Sequence, residues 1–139
     1  MRESFRVGTI LVVDPAVMCR ELLGAVLKSH KYEVRTVANG REALMAVGEQ
    51  IPDAILLELD LPELNGLAVL RVLRSNPQYK DIPCLVLTAT ADRERVLESR
   101  RLGANHYMLK SHFSLDDLLG RLERVLSASP AVCSAATGG

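Results

Sequence analysis

The chain lacks an excess of charge of either sign. Its 139 residues carry 17 basic and 17 acidic side chains, a formal net charge of zero. That removes any global electrostatic case for nucleic acid or an anionic membrane as partner. Long hydrophobic runs are missing too: the longest apolar stretches are of strand length, far short of the roughly 20 residues a membrane helix needs. The segment Met1-Arg2-Glu3-Ser4-Phe5-Arg6 contains an acid and leads towards a strand, without a signal-peptide core. A cytoplasmic protein is the expectation. Cysteine is scarce. Cys19, Cys84 and Cys133 are odd in number and widely spaced, which suits neither a zinc knuckle nor a disulfide framework. Cys19 and Cys84 read as small core residues. His30, His106 and His112 show no metal-ligand spacing and read as surface or loop histidines. A flavin phosphate would require a Ser/Thr/Gly-rich loop after the first strand, and Asp14-Pro15-Ala16-Val17-Met18-Cys19 is not one. No nucleophile–base pair is apparent, so an enzyme is not expected.

What the chain does have is alternation. Its 48% hydrophobic content supports a single sizeable core. Thr9 to Val13, Ala54 to Leu57 and Ile82 to Leu87 are continuous apolar runs, as expected of strands buried on both faces. Tyr32 to Val37 alternates, as a half-exposed edge strand does, and His106 to Leu109 is a short last strand. Between them lie helical patterns. Asp14 caps the first, with Pro15 at its first position and Met18, Leu22, Ala25 and Val26 facing inward. Asn39 and Glu42 open the second in a capping-box-like start, with Ala43, Leu44 and Val47 inward. A third spans about Leu67 to Arg74, and a fourth about Asp92 to Leu102, ended by Gly103. A fifth, Ser114 to Leu126, has an apolar stripe of Leu115, Leu118, Leu119, Leu122, Val125 and Leu126. Five strand–helix units with right-handed crossovers predict an α/β fold. It is a doubly wound, five-stranded parallel sheet of order 2-1-3-4-5, flavodoxin-like. Residues 8–127 form the expected domain, and the small-residue segment 128–139 an expected disordered tail or linker.

Sites in such folds form at the carboxyl ends of the strands. Four polar residues fall there: Asp14, Glu58, Thr88 and Lys110. Two acids, a hydroxyl and a cation at one mouth suit phosphoryl and metal chemistry. Taken singly, Asp14 is also an adequate helix cap, Thr88 an ordinary strand-end residue and Lys110 a solvated one. Their coincidence at corresponding strand ends favours a site.

These motifs resemble the receiver domain of bacterial two-component response regulators, over Ile10 to Leu126. The segments are Ile10-Leu11-Val12-Val13-Asp14, Ala38-Asn39-Gly40-Arg41-Glu42-Ala43-Leu44 and Pro52-Asp53-Ala54-Ile55-Leu56-Leu57. Leu61-Pro62 with Gly66, Leu87-Thr88-Ala89, and Gly103-Ala104 leading to Tyr107 and Lys110 complete the set. The resemblance implies a signalling module in which an aspartate after strand three takes a phosphoryl group from a histidine kinase. It implies two acids after strand one that help hold Mg²⁺, and a hydroxyl and a lysine that contact the phosphoryl group. It also implies an aromatic on strand five that changes rotamer with activation. Asp14, Thr88, Lys110 and Tyr107 match. Glu58 stands at the phosphoacceptor position and Pro15 at the second acid position. Lys110 is followed by Ser111-His112-Phe113 where the family usually has Pro and Phe, so a trans peptide and a rearranged loop are expected there.

The departures shape the functional expectation. Glutamate moves its oxygens by on the order of 1 Å, enough to cost roughly 10²-fold in rate. Mg²⁺ demands near-ideal octahedral geometry, and Pro15 removes one carboxylate ligand. No cofactor is expected, with Mg²⁺ weak or absent and Asp14 and Glu58 its only candidate ligands. The first expectation is an atypical receiver that acts by protein–protein interaction and is not phosphorylated on Glu58. The carboxylate is then either a phosphomimic reaching Lys110 or Thr88, or a relic. The alternative is a phosphorylation-responsive receiver with a weakened or relocated acceptor, Asp60 being one candidate, and a flavodoxin-like enzyme stands behind both. The expected partner is a histidine kinase or a downstream effector on the face of helix 4, strand 5 and helix 5, with Tyr107, Arg95 and Arg101 as candidates. Arg93, Arg95, Arg100 and Arg101 form either a solvated face or a docking surface for an acidic partner. Nucleic acid and membrane are not expected partners.

Overall fold

The structure, a computed structural model, describes residues 8–128. The elements are β1 (Thr9–Val13), α1 (Val17–Ser29), β2 (Glu33–Val37), α2 (Gly40–Glu49) and β3 (Ala54–Leu57). They continue with α3 (Gly66–Ser75), β4 (Cys84–Thr88), α4 (Arg93–Arg101), β5 (His106–Leu109) and α5 (Leu115–Ala128). The strands form one sheet of order β2-β1-β3-β4-β5, every neighbouring pair parallel. This is the flavodoxin-like order expected.

Because side chains alternate along a strand, each strand feeds both faces of the sheet. Leu11, Val13, Ile55, Leu57 and Val86 pack with Ala43 and Val47 of α2 and with Val69, Leu70 and Leu73 of α3. Ile10, Val12, Leu56, Leu85 and Leu87 pack on the other face with Leu23 and Leu27 of α1 and with Leu118 and Leu122 of α5. Each fully buried Leu or Ile contributes about 1.5–3 kcal/mol against exposure. The three central strands are therefore the firmest part of the molecule, and their carboxyl ends are fixed relative to one another.

Several local expectations need correction. Helix α1 buries Leu23, Gly24 and Leu27, not Met18, Leu22 and Ala25, which are exposed; Met18 is 82% exposed. Asp14 is not its cap. The N-cap is Ala16, without a side-chain hydrogen bond, and Pro15 lies outside the helix. The chain uses Pro15 and Ala16 to leave the sheet, and Asp14 Oδ1 accepts a hydrogen bond from the Ala16 amide (2.8 Å) instead. β4 starts at Cys84 rather than Ile82, since Pro83 has no amide to enter a ladder. Asn39 does cap α2, accepting from the Glu42 amide, while Glu42 Oε1 accepts from the Ala38 amide (2.9 Å). Asn65, expected only as loop, caps α3. Helix α5 reaches Ala128, two residues past its expected end at Leu126. The expected tail and Cys133 otherwise lie outside the described residues, as does the N-terminal segment. No helix among the described residues is long and apolar enough to cross a membrane.

Candidate functional site

The sheet delivers four polar side chains to one place. Hydrogen bonding continues one residue past three strands: the Asp14 amide donates to the Val37 carbonyl, that of Glu58 to Val13, and that of Lys110 to Thr88. Asp14 (2% exposed), Glu58 (3%) and Thr88 (0%) are buried at this mouth. Two glycines let the β3–α3 loop close around Glu58. A Cβ on Gly66 would lie 2.5 Å from the Glu58 carbonyl oxygen, and one on Gly40 would lie 1.9 Å from the Leu64 carbonyl oxygen. Both positions need the missing side chain.

The Glu58 carboxylate is gripped from every side. Thr88 Oγ1 donates a short hydrogen bond to Oε2. The Asp60 amide donates to the same oxygen at 3.0 Å, and the Ala89 amide to Oε1 at 3.4 Å. Lys110 Nζ lies 2.9 Å from Glu58 Oε1 and 2.6 Å from Asp14 Oδ2, so one ammonium bridges both acids. Thr88 Oγ1 in turn accepts from the Thr90 amide (3.2 Å), and Arg20 Nη1 donates to the Asp14 carbonyl (2.7 Å). Beside this cluster, the Tyr107 hydroxyl donates a short hydrogen bond to the Thr90 carbonyl.

Burial raises the pKa of Glu58. The Thr88 hydroxyl, the Asp60 amide and Lys110 outweigh it and hold the carboxyl below its ordinary value. Burial likewise disfavours the Lys110 ammonium, but its bonds to Asp14 and Glu58 win and push its pKa up. The pair is therefore ionised across neutral pH. Tyr107 is pushed up by burial first and by the Glu58 charge second.

The donor set does not suit Mg²⁺. Only two carboxylates converge, Pro15 provides no ligand, and the two acids already share the Lys110 ammonium. Among the described residues no group of three or more His, Cys, Asp or Glu is placed to hold a metal.

Comparison with known proteins agrees with the geometry. The family model of the response regulator receiver domain matches residues 10–123. The chain belongs to that family. The receiver is 39% identical over 117 residues to response regulator MprA of Mycolicibacterium vanbaalenii, covering 84% of this chain and 49% of that protein. It spans about half the length of the curated relatives it matches. Among solved structures, it resembles the receiver domain of a signal transduction histidine kinase from Syntrophus aciditrophicus. The TM-score is 0.81 at 31% identity, covering 88% of this chain and 92% of that one. It also resembles chemotaxis response regulator CheY4 of Vibrio cholerae, with a TM-score of 0.77 at 32% identity, covering 84% and 97%. A two-component signalling module is thereby established in outline.

All four strand-end residues of the receiver converge, with Tyr107 at the margin. Asp60 lies at the mouth, but its side chain points to α4: Arg95 Nη1 is 2.6 Å from Asp60 Oδ1. Of the other arginines of α4, Arg101 pairs with Glu98 at 3.1 Å within the helix. Arg93 and Arg100 are exposed. Cys19 is half-buried rather than core, and burial followed by the Asp14 charge raises its thiol pKa. Cys84 is fully buried, its thiol pushed up to about 11 by that burial. His30 and His112 are exposed, whereas His106 is partly buried and touches Arg121 (3.2 Å). The Lys110–Ser111 peptide is trans, as are all the described peptides. Sequence reasoning missed the Asp60 and Ala89 amides, since main-chain donors leave no residue signature. It also missed the Asp60–Arg95 pair, for which the only signal was an acid near the mouth and a basic helix.

Proposed function

We propose that this receiver signals by binding a protein partner and is not phosphorylated on Glu58, whose carboxylate stands in for a modified aspartate. One observation carries the reading. Glu58 already engages the hydroxyl, the main-chain amide of Ala89 just past strand four and the ammonium at the end of strand five. In the family that the chain belongs to, the hydroxyl and the lysine are the groups that contact a transferred phosphoryl group. A carboxylate held by them is poorly placed to attack phosphorus, and the absent acid at position 15 weakens Mg²⁺ binding as well. Arg95 on Asp60 argues against a relocated acceptor there, because the candidate oxygen is already charge-paired. The Tyr107 hydroxyl on the Thr90 carbonyl supports one held state of the strand-five aromatic. The partner face is then α4, β5 and α5, in a module working in the cytoplasm.

Treatment with a small phosphodonor and Mg²⁺, followed by mass spectrometry, tests this. No adduct on Glu58 is expected, and a stoichiometric Mg²⁺-dependent phosphate there overturns the reading. The double variant Pro15→Asp with Glu58→Asp should acquire both Mg²⁺ affinity and phosphorylation.

A further inference from the structure

Helix α4, Arg93-Glu94-Arg95-Val96-Leu97-Glu98-Ser99-Arg100-Arg101, buries only Ser99 completely. Apolar burial, the main force that fixes a surface helix, contributes little to holding it. Its fixings are polar. Arg95 pairs with Asp60 at 2.6 Å, and Glu98 pairs with Arg71 of α3 at a longer 3.6 Å. Just ahead of the helix, the Asp92 amide donates to Thr90 Oγ1 (3.2 Å), on the residue whose carbonyl takes the Tyr107 hydroxyl.

Asp60 faces two ways. Its amide donates to Glu58 Oε2, and its carboxylate holds Arg95. Whatever displaces the Glu58 carboxylate releases the Asp60 amide and lets its side chain swing from α4. We propose that Arg95 is a positioning residue that couples the Glu58 pocket to α4 through Asp60. The inference deepens the function proposed above, since it supplies a route from Glu58 to the partner face. The pair is partly exposed, 29% at Arg95 and 54% at Asp60. Such pairs shift a local equilibrium by about threefold. That is enough to matter in a helix with few other anchors, since elements with few buried apolar contacts open at the low end of the local stability range.

Amide hydrogen exchange across residues 93–101 of the full chain tests it, on wild type, Arg95→Gln, Glu58→Ala and the double variant. Each single substitution should speed exchange in α4 by about threefold, and the double should be no faster than the faster single. Added salt should accelerate α4 more in wild type than in Arg95→Gln, which keeps only the Glu98–Arg71 pair to α3. If Glu58→Ala does not fold, Glu58→Met, which keeps much of the volume and removes both oxygens that could accept from the Asp60 amide, takes its place. Three results overturn the proposal: no acceleration in Arg95→Gln, multiplying effects in the double variant, or equal acceleration in Arg101→Gln, which leaves the Asp60 pair intact. No partner enters the measurement. Unchanged partner affinity in Glu58→Gln would therefore sink the phosphomimic reading while leaving the exchange cycle standing.

Discussion

The pocket has two unequal halves. On the β1 side, one acid remains where the family has two, and Pro15 turns outward into solvent. On the β4–β5 side, Thr88, the Ala89 amide and Lys110 are all present and all engaged with Glu58. The half that would bind a metal is depleted, while the half that would grip an anion is complete and filled by the chain's own carboxylate. The difference teaches that a site missing one of its acids need not be loose: the buried acids Asp14 and Glu58 share the Lys110 ammonium as a partner of opposite sign.

Breaking the complete half should have the largest effect. Lys110→Met leaves Asp14 and Glu58 buried beside each other without a cation. Removing one member of a buried ion pair costs about 3–5 kcal/mol, and the 22% exposure of the Lys110 side chain puts the loss near the lower limit. Urea unfolding should report that loss, and added Mg²⁺ should recover part of it by replacing the ammonium; stability equal to wild type would mean that the two acids do not depend on Lys110. A smaller loss, about 1.5–2 kcal/mol, is expected for Thr88→Val, which keeps the volume and removes a hydrogen bond to a charged group. It leaves the Asp60 and Ala89 amides in place, so a loss as large as that of Lys110→Met would show that the hydroxyl, not the ammonium, dominates the grip. The smallest effect is a pH dependence. The folded-state pKa of Glu58 is lowered from 4.5, so its stabilising contribution is complete above about that pH and fades as pH falls through the folded value. The stability difference between wild type and Glu58→Gln should therefore shrink on acidification below pH 4.5, and a constant difference would contradict the lowered pKa.

The sheet was legible because its strands are chemically blunt. Ile10–Val13, Ala54–Leu57 and Cys84–Leu87 are apolar on both sides, and only a two-faced sheet buries such runs. The strand-end residues followed from the strands. The buried face of helix α1 was not legible, because the helix is apolar on two faces. Leu23 and Leu27 satisfy the helical period on the inside, while Met18 and Leu22 satisfy it on the outside. Periodicity alone does not choose between them; the sheet does. Asp14 misled for a related reason, since an acid before a proline is equally good chemistry for a cap and for a strand-end ligand, and its pairing with Lys110 is a contact 96 residues long in sequence. The loop around Glu58 was half legible. Gly66 was visible as a turn residue, but its tight approach to the Glu58 carbonyl depends on packing that no local pattern encodes.

The polar character of α4 has a thermal consequence. Detaching a helix that buries only Ser99 completely uncovers little hydrocarbon, and heat capacity changes follow uncovered hydrocarbon. Its release should have a nearly temperature-independent enthalpy, unlike the strongly curved unfolding of the sheet beneath it. Because charged groups become less costly to strip of water on warming, the Arg95–Asp60 contact holds up as temperature rises. In this receiver, then, α4 and the core that carries it answer to temperature by different rules.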